Sequence, residues 1–248
     1  MLRCALHDVP FMTLTLEICA ASLPSALAAQ TGGAHRIELC QNLEQGGITP
    51  SYGLIRQVLA QLSIPVFVLI RPRPGGFVYS PDELAIMRAD IDICRELGCA
   101  GVVLGALDER GRVALAACRE LMAGAGAMEV TFHRAFDSCP NQPQALEDII
   151  ALGCQRVLTS GGQPTAARGQ AQLATLVAQA AERIGIMPGA GVSAANIQEL
   201  ARQTGAREFH TSAKRQWPAN PADGLFQAER FETDATLVAQ LVEVARAL

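Results

Sequence analysis

The sequence predicts a single (β/α)8 barrel, and three observations point to this fold class. Short runs of β-branched and apolar residues alternate with longer helical stretches, which is the pattern of βα units and a parallel sheet. Eight such runs fit into 248 residues, and barrels of this kind take about 250 residues. Several helical stretches end in glycine just before the next strand, where a left-handed backbone is common. The competing architecture, an open doubly wound sheet, would require a GxGxxG turn after the first strand, and Cys19-Ala20-Ala21-Ser22 is not one.

The elements follow one another in regular order along the chain. The helical stretches include residues 81–97, 194–203 and a last one near 234–247, and we expect all of them to pack outside the sheet. The predicted strands are residues 14–19, 36–40, 65–71, 101–104, 129–133, 156–159, 185–188 and 208–211.

Composition excludes several classes of protein. Half of the residues are apolar and 18% are charged, so we expect a large buried core rather than disorder. The net charge of -4 and a pI near 5.6 argue against a partner with a phosphate backbone, so no nucleic acid is expected. Lys214 is the single lysine, which leaves little room for Schiff-base chemistry and none for a P-loop.

The chain carries no apolar run of the roughly 18 residues that span a bilayer, so no membrane partner is expected. Asp8, Pro10 and Glu17 interrupt the region where a signal peptide would need an apolar stretch. We therefore expect a cytoplasmic protein whose cysteines are thiols. Residues 1–12 are interpreted as an N-terminal extension and residues 13–248 as the barrel domain.

Residue parity predicts an ionisable barrel interior. In the first two strands the apolar residues share one side, so Glu17 and Cys19, and likewise Glu38 and Cys40, should point inward. Buried charges are costly unless paired, so we expect these acids to meet arginines or a histidine. One interpretation is an ion-pair network that only fills the barrel; the other is a functional site at the carboxyl ends of the strands.

The two cysteines are candidate metal ligands. Cys19 and Cys40 occupy equivalent places on neighbouring strands, which lie about 4.8 Å apart. Paired thiolates suit a soft ion, and linear Cu(I) coordination needs only two. The alternative is that both cysteines are packing residues.

A second group of residues predicts anion binding. Gly189, Gly191 and Ser193 follow the seventh strand and precede a helix, where backbone N–H groups and the helix terminus favour an anion. His210 and Ser212 would lie beside them at the usual phosphate site of such barrels. A tight turn with Ser193 as an N-cap is the structural alternative. Two arginines after the third strand would clamp an anion on the other side: Arg71 and Arg73.

A third feature is His133, at the end of the fifth strand within HRAFD. With Glu17 and Glu38 in reach it could transfer protons, and these three residues are the candidate catalytic groups of an enzyme. The alternative is a structural histidine.

Seven segments, taken together, resemble the CutC family of copper homeostasis proteins. They occur in family order over most of the chain: LEIC (16–19), RIELC (36–40), GGITPS (46–51), IRPRPGGFVYS (70–80), TFHRAFD (131–137), RVLTSGG (156–162) and MPGAGV (187–192). The resemblance implies a cytoplasmic TIM barrel linked to copper tolerance, a homodimer or homotetramer, and Cu(I) ligation by Cys19 and Cys40. Gln45 departs from the family pattern, which usually has glutamate there.

Two functions therefore follow from the sequence. The first is copper homeostasis with Cu(I) bound by Cys19 and Cys40. The second is a barrel enzyme that acts on a small phosphorylated or carboxylated metabolite.

Overall fold

The computed structural model describes residues 14–218, 221–226 and 230–247, and it confirms the predicted barrel. Eight parallel strands are paired in the order β7-β6-β5-β4-β3-β2-β1-β8, and β7 lies beside β8 so that the ring nearly closes. The predicted extension at residues 1–12 lies outside the described residues. The strands are β1 Thr15–Ala20, β2 Arg36–Leu39, β3 Val66–Leu69, β4 Gly101–Leu104, β5 Glu129–Phe132, β6 Arg156–Thr159, β7 Gly185–Pro188 and β8 Glu208–Thr211.

Eight α-helices of the described chain follow the strands and cover the outside of the barrel. The third begins where Ser80 accepts from the backbone N–H of Glu83 while Glu83 accepts from the N–H of Ser80, a capping box that positions the loop after β3. None of the helices in the described residues is long and apolar enough to cross a membrane. The helices are α1 Leu23–Thr31, α2 Tyr52–Gln61, α3 Pro81–Glu96, α4 Leu115–Ala125, α5 Gln142–Leu152, α6 Gln170–Ala180, α7 Ile197–Thr204 and α8 Ala235–Arg246.

One local expectation was wrong, and one element had not been expected. Helix α7 begins at Ile197 rather than at residue 194, because the Asn196 side chain accepts from the Ser193 N–H and holds residues 193–196 in a turn. A hairpin that the sequence did not predict, β9 Lys214–Trp217 and β10 Arg230–Thr233, lies between β8 and α8.

The lower half of the barrel lumen is filled by ion pairs around one aromatic ring. The guanidinium groups of Arg36 and Arg156 lie 5.5 and 5.0 Å from the centre of the Phe67 ring. Arg36 also binds Glu17 and Glu208, each at 2.5 Å. The expectation that the inward acids meet arginines is confirmed for Glu17.

Candidate functional site

A cavity of about 640 Å³ opens at the carboxyl ends of the strands. Side chains from β1, β2 and β8 form its floor, and loops after β3, β5 and β7 together with α8 form its walls. This is the end of the barrel where ligands usually bind. Most residues singled out from the sequence line it: Cys19, Glu38, Cys40, Arg71, His133, Gly191, Ser193, His210 and Ser212.

The two predicted cysteines meet at the floor of the cavity. The Sγ atoms of Cys19 and Cys40 are 3.5 Å apart, and both residues are buried. The hydrogen bond with Cys40, burial and the nearby Glu38 together raise the pKa of the Cys19 thiol well above its ordinary value. Cys19, Glu38 and His210 each offer one ligand atom, and these atoms lie within 4.8 Å of one another. This set of sulfur, oxygen and nitrogen donors could hold a metal ion.

A chain of charged groups runs from the lower lumen to the cavity. His210 Nδ1 lies 2.8 Å from an oxygen of Glu17, and Nε2 lies 3.6 Å from an oxygen of Glu38. Burial alone would raise the pKa of Glu17, but His210 and Arg36 outweigh it and lower the pKa to about 2. Burial also opposes a charged imidazole, yet the bond to Glu17 and the two carboxylate charges raise the pKa of His210.

Glu38 differs from Glu17 because it lines the cavity and has no arginine partner among the described residues. Burial raises the pKa of Glu38 and outweighs the charge of His210, which lowers it, while the charge of Glu17 acts in the same direction as burial. The pair therefore divides into one ionised carboxylate within the barrel and one carboxyl with a raised pKa that faces the cavity. Such an arrangement could transfer a proton between Glu38 and a bound molecule.

The structure places His210, rather than His133, against these two glutamates. His133 lies at the end of β5, where the backbone N–H of Ala135 donates to its Nδ1 at 3.2 Å. Its ring lies 4.9 Å from that of Phe77, centre to centre. Burial, reinforced by the charge of Arg71, lowers the pKa of His133 to about 3, so this imidazole is neutral at pH 7.

The two predicted anion-binding arginines have different environments. The Arg71 side chain is buried at the cavity wall, where its guanidinium donates to the carbonyl oxygens of Gly47 and Gly75 at 2.7 and 2.8 Å. The Arg73 guanidinium binds Glu83 and the loop carbonyls, and it does not line the cavity. Of the two guanidinium groups, only that of Arg71 therefore faces the cavity.

The loop after β7 turns sharply beside the cavity. Ala190 and Gly191 have φ values of 70° and 77°, the left-handed region in which glycine is at ease. The Ser193 N–H is already bound to Asn196, whereas the N–H groups of Gly191 and Val192 make no hydrogen bond to any described residue. The backbone thus offers two donors at the predicted anion site.

Gly189 has a packing role rather than a place in the cavity lining. Its N–H donates to the carbonyl of Thr159 at 2.9 Å, and a Cβ there would lie 2.6 Å from Leu158 Cδ1. Glycine lets the end of β7 approach β6 closely. His210 and Ser212, from β8 and its loop, line the cavity as predicted.

Sequence analysis missed part of the lining. Phe77, Lys214 and three residues of α8 also face the cavity, and the α8 residues are Leu237, Gln240 and Leu241. The periodicity of α8 predicts a helix with an apolar face. No local signal says that the start of this helix packs beside the mouth of the barrel.

The fold and the cavity define a class: a (β/α)8 barrel with ionisable and thiol side chains at its ligand-binding end. The chain belongs to the CutC family, whose family model matches residues 14–215. A Xylella fastidiosa relative named family protein CutC is 53% identical over 234 residues, which cover 92% of this chain and 88% of the relative. A Chromobacterium violaceum relative of the same name is 48% identical over 242 residues, which cover 94% and 98% of the two chains.

One solved structure agrees with this assignment, and a second shares the fold. The CutC crystal structure from Streptococcus agalactiae superimposes with a TM-score of 0.77 at 36% identity and covers 80% of this chain and 98% of that one. A thiamine phosphate pyrophosphorylase from Pyrococcus furiosus gives a TM-score of 0.61 at 16% identity, with 95% and 97% of the chains covered. At that identity the second likeness shows the fold alone.

Proposed function

We propose that this CutC-family chain takes part in copper homeostasis by binding Cu(I) between Cys19 and Cys40. The observation that carries the proposal is the 3.5 Å separation of two buried sulfurs at the floor of an open cavity. Soft thiolates favour Cu(I) over hard cations. The Streptococcus agalactiae structure is provisionally named a copper homeostasis protein, which also supports a role in copper homeostasis for this chain.

The sulfur separation favours a bent site over a linear one. With metal–sulfur bonds of about 2.3 Å, as in zinc thiolates, two sulfurs 3.5 Å apart subtend about 100° at a shared ion. Linear coordination would need sulfurs about 4.6 Å apart at that bond length. We therefore expect a third ligand, from Glu38 or His210, to complete the coordination. Binding would release the thiol protons, so affinity should fall as the pH falls.

An anaerobic titration of the reduced protein with Cu(I) against a competing chelator tests this function. We expect one tight equivalent in the wild type and its loss in the Cys19→Ala, Cys40→Ala double variant. A matched control is Cys94→Ala, Cys99→Ala, which removes two buried cysteines of the α3 region outside the cavity. Tight binding that survives in the first variant, or is lost only in the control, would overturn the proposal.

A second candidate is a barrel enzyme that acts on a small phosphorylated or carboxylated metabolite. The cavity of about 640 Å³ is far larger than one metal ion needs and lies within the usual range for small-molecule sites. Glu38 would donate or accept the proton. His210 would orient the Glu38 carboxyl, and Glu17 would hold His210 in place from the barrel interior. The free N–H groups of Gly191 and Val192 would hold an anionic end of the substrate.

A ligand screen tests the second candidate. Phosphorylated and carboxylated metabolites would be added to metal-free protein, and thermal stabilisation would be measured before any turnover assay. We expect a hit to be turned over by the wild type and at least a hundredfold more slowly by Glu38→Gln, the loss typical of a general acid–base group. Full turnover in that variant would eliminate the assigned role.

The cellular setting belongs to the same proposal. A cytoplasmic homodimer or homotetramer is expected, and light scattering after size-exclusion chromatography would measure the subunit number.

A further inference from the structure

Arg71 is a buried cation without a carboxylate partner. The residue is 6% exposed, and its guanidinium donates to the backbone carbonyls of Gln45, Gly47 and Gly75. No described carboxylate forms a salt bridge with it, and its Nε–H has no acceptor among the described residues. Buried charges are costly unless an opposite charge compensates them. We therefore expect an anion from outside the described chain to bind Arg71 and compensate its charge.

His133 presents a second donor next to this cation. Because the Ala135 N–H donates to Nδ1, the proton of the neutral ring must be on Nε2. That Nε2 is buried and has no hydrogen-bond partner among the described residues. Gly105 lets the ring lie flat against β4, since a Cβ there would be 2.7 Å from its Nδ1. The imidazole is thus held in place as a hydrogen-bond donor that has no acceptor among the described residues.

Phe77 and Tyr79 complete the cluster. The Phe77 ring lies 4.9 Å from the His133 ring and 5.2 Å from Arg71 Cζ, so it packs on both groups. The Tyr79 hydroxyl lies beside the Arg71 guanidinium, which can only donate to it, so the hydroxyl proton has no acceptor among the described residues. Unsatisfied buried donors are rare in native structures, so the Nε–H of Arg71 and the two donors beside it indicate a missing acceptor.

We propose that Arg71, His133 and Tyr79 form a subsite beneath Phe77 that binds the carboxylate of a small organic acid. This inference rests on the second candidate function, because it names the substrate class that the cavity would take. A carboxylate has enough lone pairs for three donors, and its single charge matches the single guanidinium. A phosphate dianion would leave one charge uncompensated, and water would satisfy the donors but not the cation. Phe77 must move aside to admit the ligand, since its ring covers both groups.

Pyruvate and inorganic phosphate are the probes, each added to metal-free protein labelled with ¹⁵N-histidine. We expect pyruvate to shift the His133 Nε2–H resonance downfield in a saturable way, and phosphate to leave it in place. Arg71→Met should weaken pyruvate binding at least tenfold, as for other hydrogen bonds to a buried charge. The control Arg88→Met removes an exposed guanidinium of α3 that does not line the cavity, and it should bind as the wild type does.

Arg71→Met could unfold the loop after β3, so a second pair of variants keeps the test decisive. His133→Phe keeps an aromatic ring against Phe77 but removes the donor, and it should weaken pyruvate at least fivefold. Phe77→Ala uncovers both groups and should bind pyruvate more tightly than the wild type. Absence of pyruvate binding, equal shifts with phosphate, or unchanged affinity in His133→Phe would overturn the subsite.

The outcomes also separate this inference from the function on which it rests. Carboxylate binding at His133 without turnover of any carboxylate would support the subsite and contradict the proposed enzyme function. Turnover of a substrate that lacks a carboxylate, unaffected by His133→Phe, would leave the enzyme standing and remove the subsite.

Discussion

Acid should destabilise the fold through His133, and the effect can be sized from its environment. Burial, followed by the charge of Arg71, lowers the pKa of this imidazole from 6.5 to about 3. Between pH 6.5 and about pH 3 this histidine is protonated in the unfolded chain but neutral in the folded chain. The contribution to stability is therefore complete above pH 6.5 and is lost progressively as the pH falls towards 3. At 1.36 kcal/mol per pKa unit, the full shift corresponds to about 5 kcal/mol.

Urea unfolding at pH 7 and pH 4.5 would measure this contribution. Two of the pKa units lie above pH 4.5, so the wild type should lose about 2–3 kcal/mol through His133 over that interval. Other groups titrate too, and His210 acts in the opposite direction because its pKa is raised. His133→Gln removes only the first contribution, so its stability should fall by about 2–3 kcal/mol less than that of the wild type. Equal falls in the two proteins would refute the reasoning.

The remaining predictions concern the barrel interior and its rim. Gly101→Ala would place a Cβ on the Phe67 ring, so the midpoint of urea unfolding should drop by the equivalent of about 1–3 kcal/mol. Arg36→Met would leave the buried carboxylate of Glu17 without its guanidinium and should cost about 3–5 kcal/mol. Arg36→Met combined with Glu17→Leu should regain only part of that loss, because His210 Nδ1 then loses its partner and Glu208 still lacks Arg36. Asp137→Ala would remove the acceptor of several hydrogen bonds from the loop after β6. Amide hydrogen exchange of that loop should become faster while the β-sheet stays protected, and an equal increase in both would contradict this prediction.

The barrel was predictable because its signals are local. Alternating parity places Cys19 and Glu38 inside, and the structure confirms it, since a strand with one apolar side has no other way to face the helices. Neighbouring strands in sequence are also neighbours in the barrel, so the approach of Cys19 to Cys40 followed from chain order.

The parts that sequence reasoning missed depend on contacts between distant segments. His210 reaches Glu17 because β8 pairs with β1, 193 residues away, and nothing near either residue distinguishes His210 from His133. The β9–β10 hairpin carries four exposed residues in its first strand, so it lacks the half-buried alternation that predicts a strand. The start of α7 depended on one side chain, Asn196, and not on periodicity.

The filled lower half of the barrel lumen determines the path by which a ligand could enter or leave the cavity. Phe67, Arg36 and Arg156 are each less than a tenth exposed, and together they close the barrel below the thiols. Among the described residues the cavity therefore opens at the carboxyl ends of the strands, so a ligand bound there would leave by the path along which it entered. A protein that received such a ligand would have to approach the same opening, and one bound ligand would block the entry of the next. Exchange at the site should accordingly be sequential, with departure preceding each new arrival.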